Sequence, residues 1–575
     1  MTYEIRPAIG IARVGNAPEE FYIDPETYRG LPTKEDGTAF TQSDFRDSEA
    51  RLCRQAARFR IYQDGSDDPI TLNSENIASI EWTVHIANKK PSWYEFLTSQ
   101  GEHGYAPTHP LRNPSVENRL ELMIDAGPRS ISGTEVSGPD YRFDANSAPS
   151  DYEGVHFPPG NLEPLGTPID TLGELRTDAD GSLLVLGGLG RSGTTDKSAS
   201  LPNYANNNNW WDDTSDGPVK ARITFNNGDD PIEIQAYVLV TPPSYVPQIS
   251  NLVTLYDTIL DASVKAGSYP DIQAGGFWKL GENGYQPDFE TEIRPLLERA
   301  SRYCWVSSVP RPAHEFDMEK LGDNSPENKD YRNNFLENLR APNEENQLRA
   351  EKKEKGTKRI VKKMPYLAGD NALHPEYLIS NYLCLTNTQY FLLMQWAEGY
   401  FTNDPNIPPG NLAPDPITRA VLENCVGGAF SPGIEMSWIS RNAAIYGEPF
   451  RINGCFPDKK LSADFNPNCI EPGDITRYMA IPWQADFNLC TTQPITELNP
   501  PSGQNPEKRD MWWWPPQRPT KVYTEDDAEK LVPWTPLSFS GVSMVKYWSK
   551  LGFVIEKTIA GEQRFVEVER KLPRD

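Results

Sequence analysis

Asp486 and Cys490 stand four residues apart in IPWQADFNLC, Ile481 to Cys490, and some twenty residues later the chain reads MWWWPPQRP, Met511 to Pro519. If WQADFNLC is helical, positions i and i+4 share a face and the carboxylate lies beside the thiol. A carboxylate disfavours a thiolate by charge, yet it can take a proton from a thiol or an indole during covalent chemistry. The plainer reading makes Cys490 a small buried apolar residue and Asp486 a cap. It makes Trp512, Trp513 and Trp514 a packing knot ahead of Pro515 and Pro516. These residues alone leave both readings open.

Other reactive patterns are weaker. The six histidines are His85, His103, His109, His156, His314 and His374, with no HExxH or HxH among them, so a catalytic zinc site is not expected. Beyond His374, proton transfer falls to carboxylate, lysine, tyrosine or cysteine. No GxSxG nucleophile elbow occurs. GIARVG (Gly10 to Gly15) and LGGLGRSG (Leu186 to Gly193) could cradle a phosphate, but neither matches GxxxxGK[ST] or a strand–GxGxxG–helix unit, and they read as turn geometry. Asp212, Asp213 and Asp216 in NNNNWWDDTSDGP crowd carboxylates beside a glycine without the ligand ladder of a calcium loop, so a polar surface loop is expected. Trp210 and Trp211 leave open that this loop faces a ligand.

The elements that must position these residues belong to a chain of 575 residues, long enough for two to four domains at about 150 residues each. With 56 Lys+Arg against 81 Asp+Glu the net charge is -25, which argues against nucleic acid or an anionic membrane as partner. The one basic run, EKKEKGTKRIVKK (Glu351 to Lys363), reads as a solvated loop or exposed helix. No long apolar span and no signal-peptide pattern is present, which predicts a cytoplasmic protein with export by a non-Sec route left open. Seven scattered cysteines without CxxC favour reduced thiols, with Cys455 to Cys469 as a candidate single bridge.

Short alternating runs such as RFRIYQDG, ASIEWTVHIAN, GSLLVLGGLG, ARITFNN and IEIQAYVLVTPP, broken by turn residues, predict strands up to about Glu290. Apolar spacing of three and four predicts helices around Asn251 to Leu260, in DFETEIRPLLERASRY, in NYLCLTNTQYFLLMQWAEGYF and in ITRAVLENCVGG. Gly427 and Gly428 are expected to stop the last. The expected fold is α+β, with a β-rich N-terminal region (1–317), a charged linker or insertion (318–364) and a helical, loop-rich region (365–575) carrying the reactive residues.

Taken in order, PAIGIARVGNAPEEFYIDPE, YANNNNWWDDTSDGPV, AYVLVTPPSYVP, MPYLAGDN, LTNTQYFLLMQWAEGYF, ENCVGGAFSPGIEMSW, IPWQADFNLC and WWPPQRP give the chain a resemblance to the cysteine tryptophylquinone-dependent amino-acid oxidases, the quinoproteins related to lysine 6-oxidase and glycine oxidase. The resemblance spans nearly the whole chain. It implies that Cys490 is joined by a thioether to Trp514, with Trp513 as the alternative, and that the indole is oxidised to an ortho-quinone. Asp486 is implied as the carboxylate needed to build the cofactor. The same resemblance implies oxidative deamination of a primary amine or amino acid, with dioxygen reduced to hydrogen peroxide and ammonia released. It also implies a flavin-dependent maturation protein and a homo-oligomer. Cys425 is placed by similarity in the active-site wall, and Tyr204, Trp211 and Asp212 are candidates for the same pocket. The pocket histidine of glycine-oxidising relatives has no counterpart in this C-terminal half. The competing expectations are a family member without the quinone and a β-rich ligand-binding protein without catalysis.

Overall fold

The computed structural model describes residues 2–97, 104–308, 316–342, 347–354, 356–369, 381–404, 412–427, 432–512 and 516–574. Nine strands form the spine of the N-terminal half: β1 (Ile9–Arg13), β2 (Arg54–Gln63), β3 (Ile77–Val84), β4 (Arg129–Ser132), β5 (Arg142–Asp144), β6 (Thr171–Thr177), β7 (Leu183–Gly187), β8 (Ser215–Phe225) and β9 (Ile232–Thr241). Their spatial order is β5-β6-β7-β2-β1-β9-β8-β3-β4. The long strands pair antiparallel, β8 with β9 from Ser215↔Val240 to Ile223↔Ile232, whereas β1 lies parallel to β9 with Tyr237 opposite Ile9. GIARVG is thus mostly central strand: all of β1 is buried, as expected where both faces are covered.

Strand alternation divides the core. Along β9, Val238 and Val240 join one apolar cluster while Tyr237 and Leu239 join another on the opposite face. The second cluster is where the helices pack. These are α1 (Leu255–Lys265), α2 (Asn387–Glu398) and α3 (Pro416–Glu423), which contribute Ile259, Phe391 and Leu422 among others. Each start has a local cause. Thr254 with Asp257 and Thr386 with Gln389 form capping boxes on α1 and α2, and Asp415 caps α3 ahead of a proline at its first position. Gly399 ends α2 in the left-handed conformation.

The end of α3 departs from expectation. The helix stops at Glu423 with Asn424 as C-cap, and Gly427 serves a close approach instead: a Cβ there would lie 2.0 Å from the Thr254 carbonyl oxygen. Gly428 is outside the described residues. The basic run also differs, since Arg349–Glu354 and Thr357–Lys362 pair as a hairpin, with β-branched Thr357, Ile360 and Val361 favouring extended backbone. The 318–364 segment is tied down through buried arginines: Arg332 Nε donates to Trp396 O (3.1 Å) and Arg340 Nη1 to Pro365 O (2.9 Å). Cys455 and Cys469 are joined as a disulfide.

Two further elements carry the reactive residues. Helix α4 (Trp483–Leu489) packs against α5 (Gly541–Tyr547), and an antiparallel hairpin of β10 (Thr492–Thr496) and β11 (Lys508–Trp512) follows α4 directly. The molecule is α+β, a β-rich N-terminal half covered by the helices and loops of the C-terminal half.

Candidate active site

Helix α4 is seven residues long and begins at a proline N-cap that offers no side-chain acceptor to the first amides. The acceptor comes from elsewhere in the chain: Asp212 Oδ2 accepts the Trp483 N–H at 3.0 Å. Asp212 is itself fully buried, paired with buried Lys90 at 2.9 Å and bonded by Asn88 Nδ2 and Thr214 Oγ1. A second tie holds the next residue, because Ser192 Oγ donates to Gln484 Oε1 at 2.8 Å. The start of α4 is therefore fixed by strand residues of the N-terminal half.

One turn further on, Asp486 and Cys490 meet as the i, i+4 spacing predicts. The Cys490 N–H closes the helix on Asp486 O at 2.8 Å, and Cys490 Sγ donates to Asp486 Oδ1. Asp486 is 2% exposed and Cys490 is half-buried. Burial pushes the Asp486 carboxyl up to about 7, against the pull of the Cys490 hydrogen bond and of the Lys90 and Arg518 cations. Arg518 is buried too; its Nε donates to Phe487 O at 2.6 Å and its guanidinium lies 5.2 Å from the Trp534 ring centre. Burial lowers it to about 10, so it stays cationic at neutral pH.

The hairpin then brings the tryptophans back. Thr492 stands opposite Trp512 and Gln493 opposite Met511. Trp512 is buried, its carbonyl accepts the Ala368 N–H at 3.0 Å, and its ring meets Tyr303 edge-on at 5.3 Å. Trp513 and Trp514 lie outside the described residues. Downstream, Gln517 Oε1 accepts from Asn251 Nδ2 at 3.0 Å.

The remaining candidates sit apart from the Asp486–Cys490 pair. Cys425 follows α3 in the second cluster, donates to Val421 O at 3.2 Å, and its thiol is pushed far up by burial and by Glu435, against Arg13. Tyr204 packs with Phe96, Trp438 and Ala480. Trp211 is buried and donates its indole N–H to Leu122 O at 3.1 Å. The aspartates expected in a surface loop are all buried, and they go to separate partners: Asp212 to Lys90, Asp216 to Tyr237 Oη and Thr476, Asp213 to the Arg191 amide beside Gly188. Their polarity suggests solvent, but each carboxylate meets donors that a single loop does not contain. Lys90 and Arg518 escaped the sequence reading; the only hint was a lysine pair in KKPSW and an arginine between prolines in PQRP.

Two family models match this chain, L-lysine epsilon oxidase N-terminal over residues 6–240 and L-lysine epsilon oxidase C-terminal domain over residues 365–514. The chain belongs to the L-lysine ε-oxidase family. It is 32% identical over 670 residues to the L-lysine 6-oxidase of Marinomonas mediterranea, spanning 99% of this chain and 90% of that protein. The fold matches the crystal structure of the L-Lys ε-oxidase from the same organism at a TM-score of 0.86 and 30% identity, covering 99% of this chain and 95% of that one. A crystal structure of the Schiff base intermediate of that oxidase with L-Lys matches equally well. The ε-oxidase family match accounts for both halves and leaves 241–364 between the two models. No helix among the described residues is long and apolar enough to cross a membrane.

Proposed function

We propose that this member of the family oxidises the primary amine of an amino acid with a cysteine tryptophylquinone built from Cys490 and Trp514. The buried Asp486–Cys490 hydrogen bond, placed where α4 runs into the tryptophan hairpin, carries the reading. The residues fit the group. Trp512 is already committed to Tyr303, and of the two remaining tryptophans the family resemblance implies Trp514, with Trp513 as the alternative. When formed, the quinone supplies an electrophilic carbonyl to a primary amine and accepts two electrons, which dioxygen then removes as hydrogen peroxide.

Asp486 acts on protons at both stages. In assembly it accepts the Cys490 thiol proton as sulfur bonds to the ring; that bond removes one thiol and one ring hydrogen with two electrons, which pass to a flavin-dependent partner and dioxygen. In turnover the same carboxylate takes the proton from the amine-bearing carbon of the substrate and later releases it as dioxygen is reduced to hydrogen peroxide. A carboxyl near 7 is suited to both, being partly ionised at neutral pH. Lys90 and Arg518 stabilise the ionised form, and burial keeps bulk water from competing for the proton. Ammonia and a carbonyl compound are the products, and the mature enzyme is a homo-oligomer, as the family resemblance implies. L-lysine is the first substrate to test, since the relatives above are named for it. Cys425, Tyr204 and Trp211, which the resemblance implies for the pocket, are given no part in proton transfer.

The test is the intact mass of protein matured beside its flavin partner, which should rise by two oxygens less four hydrogens, with the Cys490 and Trp514 peptides joined after digestion. Cys490→Ala should lose the visible quinone absorbance and peroxide release together. An unmodified mass under those conditions, or turnover retained in Cys490→Ala, would overturn the assignment.

A further inference from the structure

A cavity of about 820 Å³ is lined both by the hairpin that ends at Trp512 and by the basic hairpin. β11 contributes Arg509, Asp510 and Met511, and the strand Thr357–Lys362 contributes its last four residues, Arg359 to Lys362. The Arg349–Glu497 ion pair ties the two hairpins together. Neither Asp486 nor Cys490 lines the space. Its chemistry is divided by depth. Leu297, Val361, Leu393 and Met511 are buried, and Phe335 and Leu339 extend the same apolar lining. The charged lining residues among those described are Arg359, Lys362, Arg509 and Asp510, and all four are exposed, which puts them at the mouth. Arg509 is paired with Glu507 at 2.6 Å, and Lys362 Nζ lies 4.8 Å from the ring centre of Tyr366, another lining residue. With Glu507 counted, the mouth still carries more cations than carboxylates, in a chain of net charge -25.

A mostly apolar chamber with a few charges at its rim is the form small-molecule sites take, and a cationic rim selects the sign of the ligand. We propose that this cavity is a second binding site, apart from the reactive pair, for a fatty carboxylate. The alkyl chain lies among Leu297, Phe335, Leu339 and Leu393, and the carboxylate stays at the mouth beside Arg359 and Lys362. A carboxylate drawn inside would lose its water, whereas at the mouth it keeps water and gains two cations. Each methylene buried adds a similar increment, so affinity rises with chain length until the chamber is filled. Such a ligand has no amine and is not a substrate of the oxidation proposed above; its binding does not depend on a mature quinone. It touches both hairpins, so its binding holds β11 against the basic hairpin.

Calorimetric titration of the full-length protein tests it, with laurate, octanoate and dodecyltrimethylammonium as probes below their micelle concentrations. Laurate is expected to bind, octanoate about a hundredfold more weakly for its four missing methylenes, and the cationic amphiphile more weakly than laurate. Laurate should also raise the melting temperature, as a ligand of the folded state does. Arg359→Glu with Lys362→Glu, both at exposed positions, should weaken laurate about tenfold without weakening the cationic probe. Ala300→Phe and, separately, Leu339→Trp narrow the chamber and should weaken laurate while the melting temperature without ligand is retained. The proposal is overturned if laurate does not bind or lowers the melting temperature, if laurate and octanoate bind equally, if the charge reversal leaves laurate unchanged, or if both narrowed variants melt normally and bind laurate as before. The intact mass decides the quinone separately, so either result here leaves the oxidase reading where it stands.

Discussion

Asp486 owes its chemistry to its surroundings, because a solvated aspartate titrates near 4 and this one is held near 7 by burial, with two cations opposing the shift. Those cations make the residue tunable from outside. Lys90→Met removes a positive charge that favours the Asp486 anion, so the acid limb of the kcat/KM profile should move to higher pH. Asp212→Asn does the reverse, removing the anion and leaving Lys90, and should move the limb to lower pH while an amide oxygen still accepts from Trp483. A purely structural role for the pair would lower yield in both variants without opposite shifts. Asp213 and Glu292 are also raised to about 7 by burial. A carboxyl raised in the folded state binds more protons folded than unfolded, so between about pH 4 and 7 these groups make stability fall as pH climbs, and above their folded values the loss is complete. Asp213→Asn should make that fall shallower in melting temperature measured across the window.

At the scale of the element, the helix α4 is a short segment that local sequence cannot start by itself, and its first amide is satisfied by an aspartate in the opposite half. That explains what could be read from the chain and what could not. The i, i+4 meeting of Asp486 with Cys490 follows from helical periodicity, and the strands and the main helices follow from alternation and from apolar spacing of three and four. Lys90 and Arg518 could not be recovered that way, nor could the burial of Asp212, because their meaning lies in tertiary contacts and polar residues read as solvent-facing until their partners are known. The basic run shows the same limit: its charges suggested a solvated loop or helix, while its pairing as a hairpin depends on the complementary stretch beside it. Gly427 illustrates a third kind, a glycine kept for contact instead of turn geometry. Gly427→Ala drives a methyl into the Thr254 carbonyl at the start of α1, and a loss of about 1–3 kcal/mol is expected from chemical denaturation.

Across the whole molecule, one apolar core lies on each face of the sheet. The Cys455–Cys469 bridge closes a loop of sequence separation 14, and its removal by paired serine substitutions should cost about 3 kcal/mol by loop-closure entropy without altering the quinone mass. The α4 anchor has a consequence for biosynthesis. Asp212 leaves the ribosome 271 residues ahead of the amide it will hold, so the N-terminal sheet is made first and becomes the mould on which the later helix sets. On the proposed function, a fragment beginning after the sheet would present the thiol on an unanchored helix, and oxygenation by the proposed maturation protein should wait for a finished chain. Pulse-labelled nascent polypeptides of increasing length would then acquire the thioether only after translation has ended.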